Sequence, residues 1–174
     1  MRGATMAAMT ATTDALPFTG DDEADRLLVA EPLAMLIGFA LDQQVTVQKA
    51  FSGPLELKRR VGHLDAARLA ATDPTELDEV FRRPPALHRF PGSMAAKVQA
   101  LAGAIATDYG GDAERIWTEA TDGKDLRRRL LDLPGLAAEL PLHPTLGDVD
   151  SAEALATYQA GKRARKAELR AARG

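Results

Sequence analysis

The chain contains no cysteine. That removes disulfides, thiolate nucleophiles, zinc–thiolate sites and cysteine-held iron–sulfur clusters at once, and it suits a reducing cytosol. Aromatic residues make up only 5% of the sequence. β-Branched residues are sparse too, whereas alanine is abundant. Sheets draw on β-branched and aromatic side chains, so this balance favours helix throughout. No apolar run reaches the about 20 residues of a membrane span. No segment has a signal peptide's order of basic residues, apolar core and cleavage site. A cytoplasmic protein is expected.

What is present is 174 residues, enough for one domain with a proper core. The net charge of −3 argues by itself against a strongly nucleic-acid-binding surface. The average hides an asymmetry. Residues 14–31 are acidic, with Asp21, Asp22, Glu23 and Asp25 close together, and the end is basic, with Lys162, Arg163, Arg165, Lys166, Arg170 and Arg173 against a lone Glu168. A local surface, not the total, decides what binds.

The remaining chain is organised around residues 32–51, PLAMLIGFALDQQVTVQKAF. Leu33, Leu36, Ile37, Ala40, Leu41 and Gln44 fall on one face of a helix, and Met35, Phe39 and Val45 make other faces apolar. A helix apolar nearly all round is buried on all sides. Residues 32–44 are therefore expected to be the most buried element, a core helix closing in Asp42-Gln43-Gln44.

Residues 1–20 read as a disordered tail that closes in a turn at residues 17–20, with Phe18 as an anchor. Asp21 or Asp22 caps a short helix through residue 30, with Leu27 and Leu28 inward, and Pro32 takes the favoured first position of the next helix. Ser52-Gly53-Pro54 reads as an interruption, after which residues 55–61 resume as an amphipathic helix bearing Lys58, Arg59 and Arg60. Helices are expected over residues 64–71, 74–81 (capped by Asp73), 93–109, 112–121, 124–131 and 151–172. Gly110-Gly111 and Leu133-Pro134-Gly135-Leu136 mark turns. The expectation is an all-α fold, one helical domain over residues 21–160 followed by a basic tail, 161–174.

Three stretches together resemble the helix-hairpin-helix DNA glycosylases (HhH-GPD), in particular their cluster-less actinobacterial-type base-excision repair branch. They are the core helix ending in Asp42-Gln43-Gln44, the segment Phe90-Pro91-Gly92-Ser93-Met94-Ala95-Ala96-Lys97-Val98, and residues 126–135 ending Leu-Leu-Asp-Leu-Pro-Gly. Their order and spacing match the family over roughly residues 30–136. The resemblance implies duplex DNA as partner, hydrolysis of the N-glycosidic bond of a damaged or mispaired base, and a monomer. It places DNA contacts at Gln43, Gln44, Lys97, Leu133, Pro134, Gly135 and Leu136. Lys162, Arg163, Arg165 and Lys166 of the basic tail would add phosphate contacts. A glycine turn between helices exposes backbone N–H groups that hold phosphate without reading sequence, and a flipped nucleotide leaves a hole for a wedge such as Gln43 or Gln44. Val149-Asp150-Ser151 resembles the family's catalytic aspartate context, making Asp150 the catalytic candidate. No metal and no cofactor are implied.

The chain departs from the family after Leu-Pro-Gly. Ala137 replaces a second glycine, and Pro141 and Pro144 stop a helix within a few residues, so the second hairpin helix is missing or reduced. Ala138 and Glu139 stand where bifunctional members carry a lysine nucleophile, which implies a monofunctional enzyme. The rival expectation is a catalytically silent relative that binds DNA weakly or serves as a protein-interaction module; a lesser one is an unrelated all-α scaffold. Plainer readings stand beside each residue. Asp150 with Glu153 also forms a capping box, Gln43 and Gln44 also suit a solvated helix end, and Asp42 suits a capping acceptor. The basic tail also suits a solvated end. His63, His88 and His143 lie apart and give no zinc spacing. Trp117 and Tyr109 suit the core.

Overall fold

A computed structural model describes residues 14–136. Every regular element among them is helical: α1 (Asp22–Ala30), α2 (Pro32–Leu41), α3 (Val47–Val61), α4 (Ala66–Ala71), α5 (Pro74–Arg82), α6 (Pro91–Asp108), α7 (Arg115–Thr118) and α8 (Gly123–Asp132). The all-α expectation holds for these residues. No helix among them is long and apolar enough to cross a membrane.

Aspartate starts most of the shorter helices. Asp21 accepts from the N–H groups of Glu23 and Ala24, Asp65 from Arg68, Asp73 from Thr75 and Glu76, and Asp122 from Asp125. Each such cap satisfies donors the helix itself leaves free, worth about 1 kcal/mol. Pro32 and Pro74 sit in the first turn, where the missing N–H is no loss.

α2 is the centre of the packing, touched by α1, α3 and α6. Seven of its ten residues are buried: Leu33, Ala34, Leu36, Ile37, Gly38, Ala40 and Leu41. It interlocks with α3 through two glycines. A Cβ on Gly38 would lie 2.5 Å from the Phe51 ring, and one on Gly53 would lie 2.5 Å from Leu41 Cδ1. Each helix thus offers a notch to a large side chain of the other. α6 covers α4 and α5 from the other side, and Gln99 Nε2 donates to the Thr72 carbonyl at 2.6 Å.

Four local expectations need correction. The core helix ends at Leu41, not Gln44, because the chain bends over residues 42–46 to bring α3 back along α2. Residues 52–54 do not interrupt: Gly53 and Pro54 lie inside one continuous α3. An interior proline costs about 3 kcal/mol, and burial of Ala50, Phe51, Leu55 and Leu57 on either side offsets it. The expected helix at residues 112–121 shrinks to α7, and Trp117 on it is exposed rather than in the core. Tyr109 does pack against the core.

The packed chain begins before residue 21. Leu16 lies against the core, and Phe18 meets Phe51 edge-on at 5.2 Å. Asp25, buried on α1, collects the N–H groups of Phe18 and Thr19 and the Thr19 hydroxyl on one oxygen. Burial pushes its carboxyl up, but these hydrogen bonds outweigh burial and hold it below the ordinary aspartate value.

Candidate nucleic-acid interface

The site begins where α2 stops. Asp42 leaves helical geometry, and its N–H returns to the Phe39 carbonyl at 3.2 Å. The Gln43 N–H then bonds the Leu41 carbonyl at 2.8 Å, and Gln44 turns to φ +57°. That left-handed conformation costs a residue with a Cβ roughly 1–2 kcal/mol. Gln44 is exposed, whereas Gln43 is half-buried. Strain of this sort persists only where the surroundings over-determine the chain.

Here the surroundings do so through three segments far apart in sequence. Gln43 Nε2 donates to the Ala40 carbonyl at 3.1 Å and makes a longer contact, 3.5 Å, with the carbonyl of Gly135. Gln43 Oε1 accepts from the Lys97 ammonium on α6. Gly135 takes φ +82°, and a Cβ there would lie 3.5 Å from Lys97 Cβ and 3.8 Å from Ala40 Cβ. Leu133 and Leu136 are buried on either side of it, and Pro134 is half-buried. The turn after α8 is thereby seated on the end of α2 and the first half of α6.

A second link runs through His88. Its ring is 1% exposed. Nε2 lies 3.0 Å from the Gln43 carbonyl, and Nδ1 accepts from the Phe90 N–H at 3.0 Å. An accepting nitrogen carries no proton, so Nε2–H is the donor to Gln43. Burial, with the cations Lys97 and Arg89, pushes the imidazole below its ordinary value, while the carbonyls of Gln43 and Leu41 pull the other way. Phe90 itself is exposed, with the Arg89 guanidinium 4.8 Å from its ring centroid.

The loop before α6 is anchored from α3. Arg60, whose side chain is 5% exposed, pairs with Glu56 at 2.7 Å. It also donates to the carbonyls of Val80, Arg83 and Pro85 at 2.7, 2.9 and 2.7 Å. Lys49 Nζ donates to the Ala86 carbonyl at 3.1 Å. The N-terminus of α6 has no side-chain cap. A Cβ on Gly92 would lie 2.8 Å from Asp78 Oδ1 and 2.7 Å from Arg82 Nη2, so that ion pair already occupies the space beside it.

The structure therefore brings Gln43, Lys97, Leu133, Pro134, Gly135 and Leu136 to one place, with Gln44 exposed at its edge. Asp150, Lys162, Arg163, Arg165 and Lys166 lie outside the described residues. Among the described residues no group of three or more His, Asp or Glu is placed to hold a metal ion. Two residues central to the arrangement carry no mark in the sequence. There His88 reads as an isolated histidine and Arg60 as one of three basic residues, with Lys58 and Arg59, on an amphipathic helix. Only the short spacing from His88 to Phe90, the reach of a side-chain-capped turn, hints at the former. No family model, no curated protein and no solved structure matches the chain.

Proposed function

We propose that the chain is a duplex-DNA-binding protein of the helix-hairpin-helix glycosylase type, acting in base-excision repair in the cytoplasm, at the nucleoid, as a monomer. The observation that carries this reading is the hydrogen-bonded chain Lys97–Gln43–Gly135. It joins positions 54 and 92 residues apart, one from each of the three motifs that resemble the family. Motifs that matched by chance would have no reason to meet at one junction.

In this reading the rigid end of α2 supplies the wedge. Gln43 is held by Ala40, Lys97 and Gly135, so the amide that fills the space of an extruded base is that of exposed Gln44. The backbone of the turn at Gly135 and the basic tail meet phosphate. Asp150 stabilises the oxocarbenium-like charge that develops as the N-glycosidic bond breaks and orients the attacking water, as carboxylates do in glycoside hydrolysis. With Ala138 and Glu139 in the region of the family's lysine nucleophile, the product is an abasic site without strand cleavage.

A second reading is the catalytically silent relative. It is favoured by the same contact that ties Gln43 and Lys97 to each other, since a purely structural junction would use them so. The departure of the sequence after Leu-Pro-Gly, with Ala137, Pro141 and Pro144 where the family continues into its second hairpin helix, favours it too. A salt titration of duplex binding tests the DNA contact common to both forms. Log K is expected to fall linearly with log salt, and deletion of residues 162–174 is expected to weaken binding and flatten that slope. Absence of duplex binding at low salt sinks the proposal.

A further inference from the structure

We infer that His88 is the positioning residue of this surface: its neutral imidazole clamps the Gln43–Gln44 turn to the Phe90 loop, so that the Gln44 amide and the Phe90 ring meet duplex DNA as one rigid edge. What the edge contacts rests on the function proposed above; the clamp rests on geometry alone.

The ring has one donor and one acceptor, and both are engaged. Nε2–H holds the Gln43 carbonyl and Nδ1 holds the Phe90 N–H, each at 3.0 Å. Gln43 lies 45 positions earlier in the chain than His88, so the imidazole bridges two loops far apart in sequence. Each loop ends in an exposed group suited to a nucleobase. Gln44 offers an exposed amide on a left-handed backbone. Phe90 offers an aromatic face with a guanidinium stacked over it, the kind of surface on which bases stack irrespective of sequence.

A proton on Nδ1 would turn an acceptor into a donor facing the Phe90 N–H, and that bond could not survive. The charged groups acting on the ring are Lys97 from α6 and Arg89 from its own loop, both cations. From the α2 side the carbonyls of Gln43 and Leu41 favour the protonated form. Burial and the cations prevail and hold the imidazole below its ordinary value, so the clamp is closed at neutral pH and opens on acidification.

Two uncharged substitutions divide the bridge. His88→Asn keeps an acceptor near the Nδ1 position for the Phe90 N–H, in the manner of an Asx turn, and loses the bond to Gln43. His88→Gln keeps a donor able to reach the Gln43 carbonyl and loses the other half. Binding of the full chain to a fluorescent lesion-bearing duplex is measured from about pH 7.5 to about pH 5, on either side of the ordinary histidine pKa. Protection of the Phe90 amide, which bonds His88 Nδ1, is followed by NMR relative to its intrinsic exchange rate at each pH, together with the His88 ring signals.

The parent is expected to bind with constant affinity until His88 titrates and then to weaken, against the general tendency of acid to strengthen phosphate binding. Protection of the Phe90 amide should fall on the same curve. His88→Asn should bind about fivefold more weakly at neutral pH, the equivalent of one hydrogen bond, and both variants should lack the acid-side weakening. If either variant fails to fold, the parent's protection curve still decides. Protection of the Phe90 amide that ignores the His88 titration overturns the clamp, and parent binding that strengthens with acid as the variants' does overturns it equally. Protection that follows His88 in a protein that binds no duplex at any pH supports the clamp and sinks the DNA reading instead.

Discussion

Gly38→Ala probes the notch on which the α2–α3 packing depends. The added methyl would lie 2.5, 2.8 and 3.1 Å from Cδ1, Cε1 and Cγ of Phe51, against about 3.5–4.0 Å for a carbon contact. The ring has little room to retreat, because Phe18 and Phe39 meet it edge-on at 5.2 and 5.1 Å and it is 3% exposed. Overpacking of this kind costs about 1–3 kcal/mol, and replacing a mid-helix glycine by alanine returns about 1 kcal/mol. The net expectation is a loss of up to about 2 kcal/mol by urea unfolding at unchanged m value. Phe51→Ala alone should cost about 3–5 kcal/mol. In that background the methyl introduced at position 38 enters vacated space and only the helix-forming gain remains. The double variant should therefore be more stable than the sum of the singles predicts, by about 1–3 kcal/mol. Additivity within about 0.5 kcal/mol would refute the notch.

Ile37→Asp, at a fully buried α2 position, should unfold the domain, since an unpaired buried charge costs several kcal/mol against a typical total of about 5–15. A cooperative melt at the parent temperature would contradict the core assignment. Gly135→Ala meets no atom of the described residues closer than 3.5 Å, so its cost should be the left-handed backbone alone, about 1–2 kcal/mol, read by denaturant titration. Asp125 is held down at about 2 from 3.8 by Arg128, the Thr121 N–H and Arg129. A carboxyl whose folded value is depressed stabilises the fold above its unfolded pKa and loses that contribution as pH falls through the folded one. The stability difference between the parent and Asp125→Asn should therefore be full above about pH 4 and vanish towards about pH 2.

Much of this fold is legible locally. Asp21 and Asp73 announce helix starts because a cap acts within three residues. The all-round apolar pattern of α2 marks its burial for the same reason. What local pattern misses is set by partners elsewhere. Gln44 continues the helical face of α2 in sequence, yet the chain must bend after Leu41 for Phe51 to reach the Gly38 notch. Pro54 signals a break, but the packing of Phe51, Leu55 and Leu57 holds α3 through it. The site divides in the same way. Gln43, Lys97 and Gly135 could each be picked from a motif, but no periodicity reports that they bond to one another. His88 and Arg60 acquire their roles only from carbonyls supplied by distant loops.

The central claim is tested most directly by release of free base from a panel of damaged and mismatched duplexes, with and without alkali to reveal abasic sites. The parent protein is expected to release base from at least one duplex and to give strand breaks only after alkali. Asp150→Asn should abolish release while sparing binding. If Asp150 is only a helix cap, asparagine serves as well, and release would continue unchanged. No release by the parent from any duplex would contradict the glycosylase account and leave the silent relative standing.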